Sequence, residues 1–323
     1  MQRKEIIRRA IEFTGPPRVP LSYCMRDDFN ESDTACVGSG AATSFAPTQP
    51  GETEWGYVWE SLDRTMGQPD KPPLAEWAHI DTYRPPDPRA PGRFDRLAEQ
   101  VASVEDRFIK FGLGITGFNQ ATFLRGFEPF LMDLCMEPAR AQRILDLVFS
   151  YENALIEQLE GYAIDAVAFA DDWGTQQGLM IAPAQWREVF RPRYAEQFDL
   201  IHRQGKKVWF HTCGNVWDIL GDLIDIGADV LELLQPDVFG VERLAREYGG
   251  HACFCCAVDH QRRAITGTRD EIHAYVAQLH RRLGAFNGGF IGYVEDYACL
   301  GMDEQHYQWI REAFLAVSNG SHV

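Results

Sequence analysis

The chain has 323 residues, of which 45% are hydrophobic, and it carries a formal net charge of −16 with a pI near 5.0. This acidic balance argues against nucleic acid and anionic membranes as main partners, because both favour clustered lysine and arginine. The first 15 residues lack the apolar core of a signal peptide, and no apolar run is long enough to cross a bilayer. We therefore expect a cytoplasmic protein whose eight cysteines are reduced.

The N-terminal third combines one helix, one strand and a long irregular region. Residues 2–13 have the periodicity of an amphipathic helix, which ends at the Gly-Pro-Pro sequence of residues 15–17. A strand follows Arg18. Residues 27–93 are rich in Gly, Pro, Thr and Asp and are too numerous for a simple connection. Because this region contains tryptophans that provide apolar area, we expect an ordered insertion that forms a lid over a site.

From residue 94 onwards, predicted strands and helices alternate. The strands lie at 107–113, 164–170, 207–211, 229–234, 252–258 and 289–293; the helices lie at 130–162 with a break near 137–138, and at 183–204, 216–226, 240–248, 269–284 and 303–317. Short links between them predict a parallel sheet with right-handed crossovers. With the strand after Arg18 there are seven strands, and an eighth could lie in the irregular region. The pattern favours an α/β fold with a single (β/α)₈ (TIM) barrel domain over residues 1–323.

Polar side chains recur where the predicted strands end. Strand 164–170 leads into Asp171 and Asp172, and strand 229–234 contains Glu232 and leads into Gln235. Later strands lead into Asp259-His260 and into Glu295-Asp296, with Cys299 a little further on. The carboxyl ends of barrel strands face one common mouth, so these side chains predict a site there.

The strand at 207–211 contributes a pair of candidate metal ligands. His211 and Cys213 are two residues apart, so they fall on the same side of an extended chain. Imidazole and thiolate are suitable ligands for Zn²⁺. Such a pair is nevertheless more often a packed histidine beside a core cysteine. The residues alone therefore indicate a barrel enzyme with a candidate zinc site.

Several residues could supply a third ligand. Cys299 is the first choice, because it lies on a loop at the same mouth and carries a thiol. Cys255 and Cys256 are less favoured, because they lie inside an apolar strand where a core role is more usual. Oxygen ligands could come from Asp171, Asp172 or Glu232.

Four ordered segments resemble the uroporphyrinogen decarboxylase superfamily. They are DDWGTQQGLMIAPAQWREVFRPRY from residue 171, HTCGNVWDILGDLIDIGADVLELLQPD from 211, AVDHQRRAITGTRDEI from 257 and NGGFIGYV from 287. The likeness extends over residues 2–317 and implies a (β/α)₈ barrel. The superfamily includes metal-free decarboxylases and zinc-dependent methyltransferases that work with cobalamin-carrying corrinoid proteins.

The chain resembles the methyltransferase branch more closely. The decarboxylases have an MRQAGRY-like block whose arginines help to hold a polycarboxylate, whereas residues 25–31 here are MRDDFNE. Acidic groups in that position would repel such a substrate. The methyltransferases bind zinc with a His-x-Cys pair and a distant cysteine, which correspond to His211, Cys213 and Cys299. The resemblance thus implies these three residues as the zinc ligands.

The resemblance also implies that a methyl group moves between a small, methoxylated substrate and the cobalamin of a corrinoid protein. The segments TEWGYVWE and KPPLAEW are similar to those of O-demethylase-type members. We expect catalytic roles for three acidic residues: Asp171 and Asp172 orient His211 or bind substrate, and Glu232 acts as a proton donor or extra ligand. Expected substrate contacts are Met25, Trp55, Trp59 and Gln235. The alternatives are a metal-free decarboxylase and a methylcobalamin:thiol methyltransferase, and the chain could form a homo-oligomer.

Overall fold

The computed structural model describes residues 1–24, 30–61, 66–104, 106–296 and 298–320. The strands in these ranges are β1 (Leu21–Cys24), β2 (Thr34–Gly38), β3 (Val58–Glu60), β4 (Gln68–Asp70), β5 (Phe108–Ile115), β6 (Ala166–Ala170), β7 (Lys207–Thr212), β8 (Val230–Leu233), β9 (Cys253–Cys256) and β10 (Phe290–Glu295). The helices are α1 (Arg3–Ile11), α2 (Leu97–Ser103), α3 (Gly117–Arg125), α4 (Phe127–Met136), α5 (Pro138–Glu157), α6 (Pro183–Val189), α7 (Arg191–Arg203), α8 (Trp217–Asp225), α9 (Val241–Tyr248), α10 (Arg263–Thr266), α11 (Arg269–Leu283) and α12 (Glu304–Ser318).

Eight parallel strands form a nearly closed barrel in the order β1-β10-β9-β8-β7-β6-β5-β2, with helices between successive strands along most of the chain. The predicted (β/α)₈ architecture is therefore confirmed. The eighth strand is β2, inside the region that the sequence marks as irregular. Its five residues, TACVG, carry little apolar signal, so its pairing with β5 holds it in place more than its own composition does.

The barrel is completed between its two end strands, β1 and β2, largely by polar contacts. The backbone amide of Asp33 donates to the carbonyl oxygen of Leu21 at 2.7 Å, and the Asp33 carboxylate accepts from the Leu21 amide at 2.8 Å. Ser22 Oγ and Thr34 Oγ1 lie 2.9 Å apart. Asp33 is fully buried and forms an ion pair with Arg18, which compensates its charge.

Two helix breaks follow from proline. Helix α5 begins at Pro138 directly after Glu137, where the sequence predicts a break. The region 183–204, predicted as one helix, is divided into α6 and α7 near Phe190. Pro192 has no backbone N–H for a bond to the preceding turn, so a new helix starts there with proline in its first turn.

The described residues of the insertion form a layer against helices α3 and α5. It contains the antiparallel strand pair β3–β4, and a buried ion pair joins Arg93, at its C-terminal end, to Glu54 in its middle at 2.8 and 3.0 Å. Among the helices in the described ranges, none is both long and apolar enough to cross a membrane.

Candidate metal centre

Three potential metal ligands converge at the carboxyl ends of β6 and β7. The ligand atoms of Asp172, His211 and Cys213 all lie within 4.8 Å of one another. His211 Nε2 is 3.6 Å from Cys213 Sγ and 3.5 Å from Asp172 Oδ1. This arrangement follows from the strand geometry, because β7 presents His211 and Cys213 on one side and β6 delivers Asp172 from the neighbouring strand.

The turn after β7 holds the ligands together. The backbone amide of Cys213 donates to Asp172 Oδ1 at 2.7 Å, and the amide of Gly174 donates to the Cys213 carbonyl at 3.1 Å. Gly214 has φ of +77°, and a Cβ there would clash with the carbonyl group of Gly174. The close approach of these two loops therefore requires glycine at position 214.

A buried carboxylate fixes the orientation of His211. Glu232 faces His211 across the β7–β8 pairing, and its Oε1 lies 3.0 Å from His211 Nδ1. Its other oxygen accepts from Trp209 Nε1 at 2.6 Å. With Nδ1–H donated to this carboxylate, Nε2 of His211 is the nitrogen that faces Cys213 and Asp172.

Glu232 is suited to orienting His211 rather than to donating a proton. Burial alone would raise its pKa, but the nearby Lys110 ammonium and the contacts with His211 and Trp209 outweigh burial and lower the pKa to about 2. A carboxyl group with that pKa is ionised near neutral pH. The sequence interpretation gives Glu232 as a proton donor or an extra ligand, and the structure adds its contacts with His211 Nδ1 and Trp209 Nε1.

The cluster favours bound positive charge. Burial would lower the pKa of His211, but the Cys213 sulfur and the Asp172 and Glu232 carboxylates outweigh it and hold the pKa well above its usual range. Burial would raise the pKa of Asp172, yet its contacts with His211 and the Cys213 amide lower it overall. One imidazole is therefore surrounded by groups that are anionic or become so on metal binding, and a divalent cation would compensate them.

The donor set fits zinc. It combines an imidazole nitrogen, a sulfur and a carboxylate oxygen, which are the three ligand types that Zn²⁺ uses in proteins. Three protein ligands leave a fourth position for water or substrate, as in catalytic zinc sites. The side chains of His211 and Asp172 are 20% and 39% exposed, so the cluster can be reached from the barrel mouth.

Cys299 is not part of this cluster. Among the residues that the structure describes, the group of convergent ligands contains Asp172 and not Cys299. Cys299 lies on a short 3₁₀ turn, Ala298–Leu300, where partial burial and the neighbouring Glu295 raise the pKa of its thiol. Cys255 and Cys256 are fully buried in β9, as expected for core cysteines. The structure therefore favours the oxygen ligand Asp172, which the sequence interpretation placed after Cys299 as a candidate third ligand.

Asp171 binds the N-terminus of α3. It is fully buried, and its oxygens accept from the backbone amides of Phe118 and Asn119 at 3.0 and 2.9 Å and from the Tyr194 hydroxyl. A carboxylate at a helix N-terminus satisfies amides that lack partners within the helix. Its side chain is therefore engaged in holding α3, next to the metal centre.

A short hydrogen-bond chain includes Gln235. Gln176 Nε2 donates to Gln235 Oε1 at 2.6 Å, and Gln235 Nε2 lies 2.6 Å from His260 Nε2. Burial lowers the pKa of His260 to about 4, so this imidazole is neutral near pH 7 and its Nε2 can accept a hydrogen bond from the Gln235 amide. The three residues come from the loops after β6, β8 and β9, so Gln235 lies between two other polar side chains at this end of the barrel.

The predicted substrate contacts in the insertion pack against helices. Trp55 makes an edge contact with Tyr151 of α5, with ring centroids 4.8 Å apart. Trp59 packs on Phe123 of α3 at 5.9 Å. Met25 lies outside the described residues.

The negative charge of residues 25–31 is partly compensated by an arginine. Within the described part of that segment, the Glu31 carboxylate forms an ion pair with Arg311 at 2.8 Å. Asp27 and Asp28 lie outside the described residues.

Two residues around the cluster, Lys110 and Trp209, were not identified from the sequence. A signal for Lys110 was present: it is a lysine in the apolar run FIKFGL, and a buried lysine requires an anionic partner. Glu232 in the apolar run DVLELL carries the matching signal. Which strands would face each other could not be read from either run alone.

Comparison with known proteins agrees with this fold. The family model "Uroporphyrinogen decarboxylase (URO-D)" matches residues 63–293. A solved structure of a methyltransferase from Methanosarcina mazei is similar, with a TM-score of 0.66 and 14% identity, covering 97% of this chain and 98% of the other. A D-psicose 3-epimerase is less similar, with a TM-score of 0.45 and 14% identity over 76% of this chain and 86% of the other.

A 3-keto-D-glucoside 4-epimerase from E. coli has a TM-score of 0.43 and 13% identity, covering 70% of this chain and 85% of its own. No curated protein sequence matches the chain. The family model spans well over half of the residues, including all three residues of the metal-ligand cluster. The chain belongs to the uroporphyrinogen decarboxylase family.

Proposed function

We propose that this protein is a zinc-dependent methyltransferase, which moves a methyl group between a small methoxylated substrate and the cobalamin of a corrinoid protein. The observation that carries the proposal is the convergence of a nitrogen, a sulfur and an oxygen donor in His211, Cys213 and Asp172. A metal-free decarboxylase has no need of such a set. The likeness of the whole fold to a methyltransferase agrees with the proposal.

Each residue of the centre has a distinct task in this proposal. The metal would be held by His211 Nε2, Cys213 Sγ and an Asp172 oxygen. Glu232 keeps the His211 imidazole oriented toward that position. Asp172 also binds the Cys213 amide, so one carboxylate both provides a ligand and positions another. Zinc bound there would supply a Lewis acid for the atom from which the methyl group leaves or to which it moves.

The donor set favours an oxygen-containing substrate. Thiolates are softer donors than carboxylates and suit softer metals and ligands. A set with one sulfur and one carboxylate therefore leaves the metal harder and more electron-poor than a set with two sulfurs. Such a metal suits an ether oxygen better than a thiol, which supports methoxy-group transfer over the thiol methyltransferase alternative.

Methyl transfer to cobalamin also defines the partner. The partner's cobalamin would be a co-substrate: its reduced cobalt would take the methyl carbon as the bond to the ether oxygen breaks, and the departing oxygen would keep the electron pair until it gains a proton. The barrel mouth must then admit the corrinoid of a second protein, which implies a transient complex. The Gln176–Gln235–His260 chain offers neutral polar groups at this mouth for the substrate.

Metal analysis tests the proposal most directly. We expect protein purified without added zinc to contain about one zinc per chain, and His211→Ala and Cys213→Ala to lose it. Free cob(I)alamin then serves as methyl acceptor with a panel of methoxylated aromatic compounds, and the cobalt–carbon absorbance reports transfer. Zinc-free wild-type protein that turns over uroporphyrinogen would replace this proposal with metal-free decarboxylation, which the family name suggests.

A further inference from the structure

A buried lysine lies inside the barrel, close to the candidate metal centre. Lys110 belongs to β5 and is only 8% exposed. Its Nζ lies 3.7 Å from Glu232 Oε2, 3.4 Å from Ser22 Oγ and 4.2 Å from the centre of the Trp209 ring. Interiors of such barrels are usually filled by branched apolar side chains, so a charged group in this position needs a reason.

The lysine provides a permanent positive charge beside the buried carboxylate of Glu232. Glu232 is 6% exposed, and a carboxylate so far from water is costly unless it is paired and hydrogen-bonded. Lys110 and Trp209 both contact Oε2, which leaves Oε1 for His211 Nδ1. Two contacts on one oxygen fix the plane of the carboxylate, and that plane determines where the imidazole points.

We propose that Lys110 is a positioning residue of the metal centre, which holds Glu232 so that His211 presents Nε2 to the metal. The proposal rests on the proposed zinc site and adds to it a residue that acts through Glu232. Lys110 also contacts Ser22, whose hydroxyl lies 2.9 Å from Thr34 Oγ1 at the junction of β1 and β2. The metal centre is thereby linked through the barrel interior to the strands that complete the barrel.

A purely structural role for Lys110 leads to a different prediction. If Lys110 only stabilised the barrel, replacing it would lower the free energy of unfolding but leave the metal affinity of the folded protein unchanged. If it positions His211, metal affinity and coordination geometry must both change. Loss of a residue that orients a metal-binding histidine typically lowers metal affinity by about 10–100-fold.

The test compares Lys110→Met with Lys206→Met. Lys206 is also a buried lysine, but it precedes β7 at the end of the strand remote from His211. Zinc affinity is measured by competition with a chromophoric chelator, and the visible absorption bands of the Co²⁺-loaded protein report coordination geometry. We expect Lys110→Met to weaken zinc binding about tenfold and to shift the Co²⁺ bands. Lys206→Met should change neither.

A second pair of variants keeps the proposal falsifiable if Lys110→Met folds poorly. The variant Lys110→Met/Glu232→Gln has no unpaired buried charge, and it is compared with Glu232→Gln alone. Because Lys110 acts through Glu232, its loss should not weaken zinc binding further once Glu232 is replaced. Weaker zinc binding in the double variant than in Glu232→Gln, or a folded Lys110→Met that binds zinc as the wild type does, would overturn the proposal. Wild-type protein that binds no zinc would instead overturn the zinc site itself.

Discussion

Oε1 of Glu232 lies 3.0 Å from Nδ1 of His211, and the two residues face each other in register on adjacent parallel strands. Because both are held by the backbone pairing of β7 and β8, the imidazole is oriented by the barrel itself rather than by a mobile loop. A ligand oriented before the metal arrives loses little conformational freedom on binding. The metal centre is therefore organised by strand register first and by the turn after β7 second.

The third ligand can be identified by paired substitutions. Asp172→Asn keeps an oxygen that can accept the hydrogen bond from the Cys213 amide, but it removes the negative charge. We therefore expect the zinc affinity to fall by at least about tenfold. Cys299→Ser should retain the zinc content and affinity of the wild type. Chelator competition measures both variants. Loss of zinc from Cys299→Ser with retention in Asp172→Asn would show that Cys299, as the resemblance implies, is the ligand.

Zinc binding should depend on pH in a defined direction. The neighbouring sulfur and carboxylates hold the pKa of His211 well above its usual range, and burial raises the pKa of Cys213. Zinc must displace protons from both groups, so apparent affinity should fall as pH falls, by about tenfold per pH unit for each proton displaced. Because both pKa values are raised, the rise in affinity should continue above pH 6.5. A zinc affinity that stays the same between pH 6 and pH 8 would contradict this prediction.

Much of the barrel could be predicted because its strands are short apolar runs separated by helical periodicity. Six predicted strands from residue 107 onwards correspond to β5 through β10 with ends shifted by a few residues. The sequence alone does not locate strand β2, because TACVG has no apolar alternation and is held by pairing with β5. Its position depends on contacts between residues about 70 apart, which periodicity does not report.

The candidate site also contains some residues that the sequence could bring together and others that it could not. His211 and Cys213 could be paired from the sequence, because two-residue spacing on a strand fixes which side they occupy. The choice between Asp172 and Cys299 depends on how two loops fold back over the barrel, and spacing says nothing about that. Lys110 and Glu232 are far apart in the chain and meet only because β5 and β8 face the same interior.

The stability of the insertion should depend on one buried ion pair. Arg93 is 2% exposed and binds both oxygens of Glu54 at 2.8 and 3.0 Å, with a further bond from its Nε to the Asp87 carbonyl. Arg93→Met would leave a largely buried carboxylate without its partner, at a cost of about 3–5 kcal/mol. Urea unfolding measures the loss, and limited proteolysis should show faster cleavage within residues 30–61 and 66–93.

A surface ion pair provides the control for that experiment. Arg89 pairs with Glu157 at 2.8 Å, but both side chains are more than half exposed. Water screens such pairs, so Arg89→Gln should cost no more than about 1 kcal/mol. Equal losses from the two arginine variants would mean that the Arg93–Glu54 pair does not anchor the insertion.

A buried glutamate should make stability depend on pH. Glu152 accepts from the Gly117 amide and from Gln197, both at 2.8 Å, and burial raises its pKa to about 7. Between its unfolded value near 4.5 and about 7, the folded chain holds a proton that the unfolded chain has released. The free energy of unfolding should therefore fall as pH rises through this window, by roughly 3 kcal/mol at most.

Glu152→Gln should remove this dependence without loss of fold. In the described part of the chain, Gln197 Oε1 has no hydrogen-bond partner, and rotation of that amide would let it accept from the side-chain amide that the substitution introduces. Glu157→Gln, on the same helix but half exposed, is the control and should leave the pH dependence intact. Denaturant unfolding between pH 4.5 and 8 measures both, and a persistent slope in Glu152→Gln would assign it to another group.

The turn that carries Cys213 should tolerate no side chain at position 214. Gly214 has φ of +77°, and a Cβ there would meet the carbonyl group of Gly174, so the turn must move. That movement displaces the Cys213 amide from Asp172 Oδ1, and we expect Gly214→Ala to weaken zinc binding more than tenfold. Gly178→Ala is the matched control, because it lies in the neighbouring loop and its Cβ would meet no atom within 4 Å. Because the cost falls on the geometry of the ligands, Gly214→Ala should lose zinc affinity while the circular dichroism of the barrel is retained. Wild-type zinc affinity in this variant would mean that the turn does not control the spacing of Cys213 and Asp172.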